Sequence, residues 1–223
     1  MTALEAVLFD LDGVIFDTEP QYTVFWGSQC RQYHPEYPGL EFVIKGQTLT
    51  QIFEQWFSDE LESERAVVTQ RLNDFESQMS YEYIEGFESF CMDLRRKGVH
   101  TAVVTSSNQA KMASVYRYQP GFKSLFDAVL TSEEFSFSKP HPDCYLKGAA
   151  RFGVMPSKCV VFEDSFNGLR SGRSAGMMVV GLTTGNSAEL IAPFSDIQIT
   201  DYTSMDANKL NELVDLFTHS SFK

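Results

Sequence analysis

A short, largely apolar run, Glu5-Ala6-Val7-Leu8-Phe9, is closed abruptly by Asp10-Leu11-Asp12-Gly13. A stretch this short, ended by acidic residues and a glycine, reads as a buried strand that opens into a functional loop. The same design recurs downstream. Residues 100–105 end in Ser106-Ser107-Asn108, 127–130 in Thr131-Ser132-Glu133, 159–162 in Glu163-Asp164-Ser165, and 177–182 in Thr183-Thr184-Gly185. Helical periodicity fills the intervals at about 84–97, 109–118, 142–152 and 166–175, with a terminal helix near 204–218. Strands alternating with helices of this length predict an α/β fold with a parallel, doubly wound sheet, where ligands bind beyond the carboxyl ends of the strands. The polar loops should converge there.

Residues 19 to 80 break the alternation. They are acidic, aromatic (Phe25, Trp26, Phe53, Trp56, Phe57) and without an evident strand, and read as an inserted α-helical cap. The expected division is a core of residues 1–17 and 82–223 and a cap of 18–81, with short hinges near 14–20 and 78–84. The aromatic stripe fits the cap's own core better than a ligand box.

Charge narrows the partners. A formal net charge of -12 gives a field that repels nucleic acid and anionic membrane, so neither is expected as a partner. An anionic substrate would then need local positive charge, from a metal ion and one or two placed lysines. The longest apolar runs are far too short to span a bilayer, and neither a signal peptide nor an anchor is expected. Four scattered cysteines (Cys30, Cys91, Cys144, Cys159) predict buried free thiols and a cytoplasmic setting. His34, His100, His141 and His219 show no metal-ligand spacing; His141, in Pro-His-Pro, either lines the site entrance or belongs to a rigid loop.

If the first strand persists to Asp12, Asp10 and Asp12 point the same way and share one substrate, one attacking phosphorus and the other shuttling a proton. Gly13 allows the sharp turn that follows. Alone, such a pair is equally a turn or a calcium loop. The calcium spacing fails: with Asp10 as position 1, Ile15 stands where glycine is required and Gln21 where the bidentate glutamate belongs. Thr105-Ser106 offers a hydroxyl and backbone N–H groups to a phosphoryl oxygen, or simply caps the next helix. Lys139-Pro140 is either a surface lysine or an ammonium that neutralises a phosphoryl group and its attacker. Glu163-Asp164 is either a helix-start feature or the completion of an oxygen-only Mg²⁺ site with Asp10.

Taken in order, Asp10-Leu-Asp12-Gly-Val, Thr105-Ser106, Lys139-Pro140 and Glu163-Asp164-Ser165-x-Asn167-Gly168 resemble the haloacid dehalogenase (HAD) superfamily. The helical insertion and the run from Phe9 to Pro20 resemble its β-phosphoglucomutase-like phosphatase branch, over residues 5 to about 185. The resemblance implies a Rossmann-like core, an Asp10 nucleophile that becomes an aspartyl-phosphate, and Asp12 as general acid/base. It further implies Thr105, Ser106 and Lys139 on the phosphoryl oxygens. Magnesium would be held by Asp10, the Asp12 carbonyl and Asp164, with Glu163 a ligand or a supporting partner. Lys45, in Lys45-Gly46-Gln47, falls where the branch carries a cap loop that reaches the substrate, although a solvated lysine is an equal reading. Tyr22 and Leu49 stand where the branch's mutases carry a histidine and an arginine, which argues against a mutase. The expected activity is Mg²⁺-dependent hydrolysis of a small phosphorylated metabolite by a cytoplasmic monomer. The alternatives are a sugar-phosphate mutase, a pyrophosphatase or a non-catalytic phospholigand-binding protein.

Overall fold

The computed structural model describes residues 4–220, with side chains to residue 217. Among them, six strands form one sheet: β1 (Ala6–Phe9), β2 (His100–Val104), β3 (Ala128–Leu130), β4 (Cys159–Glu163), β5 (Met178–Leu182) and β6 (Ile197–Ile199). The order is β3-β2-β1-β4-β5-β6 and every pairing is parallel. Strands β2 and β3 are added on one side of β1 and β4 to β6 on the other, and this change in winding direction places the topological switch point of a doubly wound sheet at the carboxyl ends of β1 and β4.

Ten α-helices are described: α1 (Glu19–Tyr33), α2 (Leu40–Val43), α3 (Leu49–Trp56), α4 (Arg65–Gln78), α5 (Phe87–Arg96), α6 (Gln109–Tyr118), α7 (Asp143–Arg151), α8 (Phe166–Ser174), α9 (Ala188–Ile191) and α10 (Ala207–Ser220). The period-2 alternation of β1 distributes its side chains to two apolar layers. Val7 and Phe9 join α5, α6 and α10 on one face, while Ala6 and Leu8 join α7, α8 and α9 on the other. Phe9 lies 5.1 Å from the Phe162 ring and 5.3 Å from Phe87, so the residue before the acidic loop is clamped by aromatic packing. That clamp fixes where Asp10 emerges.

The segment between β1 and α5 is helical, and its aromatic residues Phe25, Trp26 and Phe57 pack with Leu40, Ile52, Val68 and Leu72 in a third apolar cluster of their own. The aromatic stripe is therefore packing, as expected. A capping box, in which Thr48 Oγ1 accepts from Gln51 N and Gln51 Oε1 from Thr48 N, starts α3.

Two expectations need correction. Strand β1 ends at Phe9 and does not persist to Asp12, because Gly13 at φ +68° turns the chain and Ile15 N bonds back to Leu11 O. Strand β6 was not anticipated. At three half-buried residues on the sheet edge, Ile197-Gln198-Ile199 carries too little pattern to stand out, and its pairing with β5 makes it a strand. All four cysteines are buried and unpaired.

Candidate active site

The loops after β1, β2 and β4 and the facing side of the α1–α4 segment enclose a cavity of about 530 Å³. Asp10, the first residue beyond β1, lines it; its Oδ1 accepts from Lys139 Nζ at 2.6 Å. Lys139 is buried, and its ammonium also donates to Glu163 Oε1 at 2.6 Å and Val104 O at 3.2 Å. The surface reading of Lys139 is excluded. Glu163 is fully buried: Oε1 also accepts from the Tyr145 hydroxyl at 2.7 Å, and Oε2 from Asp164 N, Ser165 N and Ser165 Oγ. A Cβ on Gly168 would collide with this carboxylate, which explains the glycine in the first turn of α8. With both oxygens filled, Glu163 holds Lys139 against Asp10.

The carboxylates outnumber the cation. Asp10, Glu163 and Asp164 offer oxygens within 4.8 Å of one another, and among the described residues Lys139 is the only cation bonded into the group. The Asp10 carboxyl is raised to about 7, burial and the charges of Glu163 and Asp12 outweighing the downward pull of Lys139. Asp164 is raised well above the usual range by burial, then by Glu19, Glu163, Asp10 and Asp12. Its carboxylate accepts no hydrogen bond among the described residues, and a Cβ on Gly185 would come within 2.5 Å of it. A bare buried carboxylate in a glycine-walled cradle fits an oxygen-ligated divalent cation.

Asp12 lines the same cavity, so the two aspartates do meet, through the turn and not through a continued strand. Its Oδ1 accepts from Thr18 Oγ1 at 2.8 Å, and its Oδ2 from Ser107 Oγ at 3.3 Å and from the buried ammonium of Lys111. Lys111 also lies 4.8 Å from the Tyr22 ring, and Tyr22 donates to Glu76 Oε1 at 2.8 Å. Lys111, Thr18 and Glu76 were not singled out from sequence. A lysine in the first turn of a helix carries no mark that it points inward.

Thr105 and Ser106 both line the cavity and neither caps α6; Asn108 does, its side chain accepting from Lys111 N. Thr105 Oγ1 accepts from Ser107 N at 3.0 Å, leaving its hydroxyl hydrogen available to a ligand. Lys45 lines the opposite wall, with Nζ 3.5 Å from Glu19 Oε2. The loop around it is docked onto the sheet side: Asn167 Nδ2 donates to Gly46 O at 3.1 Å, and Gln51 Nε2 to Lys139 O at 3.4 Å. Tyr22 and Leu49, the departures from the mutases, line the cavity as well.

The histidines stay outside. His141 is exposed in its loop, with Nδ1 accepting from Asp143 N, so the rigid-loop reading holds. His34 Nε2 is 2.6 Å from Trp56 O, and His100 stacks on Phe152 at 4.6 Å. The His219 side chain lies outside the described residues.

The family model described as haloacid dehalogenase-like hydrolase matches residues 4–176. The chain belongs to this family. It is 27% identical over 186 residues to the fructose-1-phosphate phosphatase YqaB of Escherichia coli, covering 78% of this chain and 94% of that protein. It is 30% identical over 220 residues to the bifunctional riboflavin kinase/FMN phosphatase of Arabidopsis thaliana, covering 94% of this chain but only 54% of that protein. The crystal structure of β-phosphoglucomutase from Clostridium difficile superposes with a TM-score of 0.78 at 20% identity, covering 96% of this chain and 99% of the other. That likeness establishes the shared fold. Among the described residues no helix is long and apolar enough to cross a membrane.

Proposed function

We propose that this chain, a phosphatase of the HAD-like hydrolase family, hydrolyses a small phosphorylated metabolite such as a sugar phosphate, through an aspartyl-phosphate on Asp10. The observation that carries the reading is Asp10 itself. It is partly buried at the switch point and lines the cavity, one oxygen is held by Lys139, and the other accepts no hydrogen bond among the described residues.

In the first step Asp10 attacks phosphorus in line with the departing alcohol, whose oxygen takes a proton from Asp12. Asp12 then removes a proton from the water that attacks the aspartyl-phosphate, returning Asp10. Thr18, Ser107 and Lys111 hold the Asp12 carboxylate at the cavity wall for both transfers. Lys139 aims Asp10 and balances charge on the phosphoryl oxygens, with Thr105 and Ser106 as further donors. Asp10, Asp164 and the Asp12 carbonyl would hold Mg²⁺, which when bound supplies charge neutralisation to the phosphoryl group. Residues 18–81 act as the cap over core residues 1–17 and 82–223; the contacts of Asn167 and Gln51 across the cavity support a closed arrangement that excludes water.

Asp10→Asn is expected to abolish Mg²⁺-dependent phosphate release while the circular dichroism spectrum and cooperative unfolding persist. Turnover comparable to the unsubstituted protein would sink the mechanism. Assaying both free phosphate and isomerised sugar phosphate in the same incubation separates hydrolysis from mutase activity.

A further inference from the structure

Every lysine on the cavity wall is already matched to a carboxylate: Lys139 to Asp10 and Glu163, Lys111 to Asp12, and Lys45 to Glu19. Among the described residues no arginine lines the cavity. Glu76 stands on the same wall without an ion-pair partner among the described residues, its carboxylate fixed by the Tyr22 hydroxyl at 2.8 Å; the ammonium whose charge bears on it, Lys111, is already bonded to Asp12. Asn73 and Thr69 of α4 and Gln47 of the loop before α3 line the same cavity. Gln47 Oε1 is buried and has no hydrogen-bond donor. The part of the cavity away from the phosphoryl site thus offers hydrogen-bond acceptors and negative charge, and no unpaired cation.

Resting on the phosphatase reading, we propose that the alcohol half of the substrate is neutral and polyhydroxylated, and that Glu76 selects it. The Glu76 carboxylate accepts a hydrogen bond from a substrate hydroxyl and repels a second phosphate or a carboxylate on the same molecule. The physical basis is asymmetric. A hydroxyl satisfies an acceptor already desolvated by the cavity, whereas a second anion meets like charge with no unpaired cation to offset it. Tyr22 contributes by donating to Glu76, which fixes the carboxylate rotamer.

The test is steady-state hydrolysis with Mg²⁺ of matched esters: fructose 1-phosphate against fructose 1,6-bisphosphate, and glycerol 3-phosphate against 3-phosphoglycerate. The member of each pair whose alcohol half is uncharged is expected to have a kcat/KM higher by ~10-fold or more. Glu76→Gln, which preserves shape and the Tyr22 contact, should narrow that ratio mainly through KM, and Glu76→Lys should reverse it. Tyr22→Phe serves as an independent variant and should narrow the ratio in the same direction. Equal kcat/KM within both pairs, or a ratio unmoved by both Glu76 substitutions, overturns the proposal. Para-nitrophenyl phosphate, assayed with the unsubstituted enzyme, separates the two levels. If it is hydrolysed while the matched pairs show no preference, only the selection by Glu76 is refuted. If no ester is turned over, the phosphatase reading fails and this proposal with it.

Discussion

Replacing Lys139 by methionine removes the only ammonium bonded, among the described residues, to the partly buried Asp10 and the fully buried Glu163. Methionine fills similar space, so the effect is electrostatic more than steric. Breaking a buried ion pair by deleting one partner costs ~3–5 kcal/mol, because the remaining charge is left uncompensated. For a chain of this size each kcal/mol lowers Tm by about 2–4 °C, so the variant should melt ~6–20 °C lower at pH 8 in the absence of metal. The loss must depend on pH. Without Lys139, whose charge lowers it, Asp10 rises further and takes up a proton in acid, which removes unpaired charge, so the deficit at pH 5 should be clearly smaller than at pH 8. The assay is differential scanning calorimetry of both proteins at the two pH values in chelator. A drop below ~3 °C at pH 8, or an equal drop at both pH values, would refute the idea that Lys139 is the structural counter-charge of this cluster. Phosphate release should fall in parallel, since a protonated Asp10 is not a nucleophile.

Metal and acid/base behaviour give two more expectations. With Asp10 raised to about 7 and Asp164 raised as well, the metal-free protein gains stability from their protonated forms, present below about pH 4 and lost as pH rises through about 7. Mg²⁺ must displace those protons, so its stabilisation, about 2.7 kcal/mol at a hundredfold excess over Kd, should be larger at pH 8 than at pH 5.5 in a thermal-shift titration. A larger shift at pH 5.5 would contradict the assigned ligands. Lys111→Met should lower kcat/KM for alkyl phosphates by ~10–100-fold, part of what general acid catalysis supplies. It should lower para-nitrophenyl phosphate far less, because that phenolate leaves without a proton; equal losses would place Lys111 outside the orientation of Asp12.

Much of the scaffold was legible because it follows from local pattern. Four apolar runs downstream of β1 gave β2 to β5 to within a residue or so, and the helix at 109–118 matches α6. β6 escaped because three half-buried residues at an edge acquire their identity from pairing with β5. At the site, Asp10, Lys139 and Asp164 were readable from their positions after strands and from the ordered motifs. The partners of Asp12 were not. Lys111 stands 99 residues from it, and Glu76 is tied to it through the hydroxyl of Tyr22, whose ring lies against Lys111.

The order of apolar runs and acidic loops was enough to define a doubly wound sheet and an aspartate at its first strand end, since strand and helix periods are properties of consecutive residues. Which carboxylates remain unpaired depends on packing. Glu163 is filled by five donors, Asp164 is left bare, and each cavity lysine is matched to an acid. Burial is what turns those pairings into chemistry. It raises Asp10, leaves Asp164 in need of a cation, and sets Glu76 facing the alcohol half of the substrate, and desolvation arises only when distant segments close over one another.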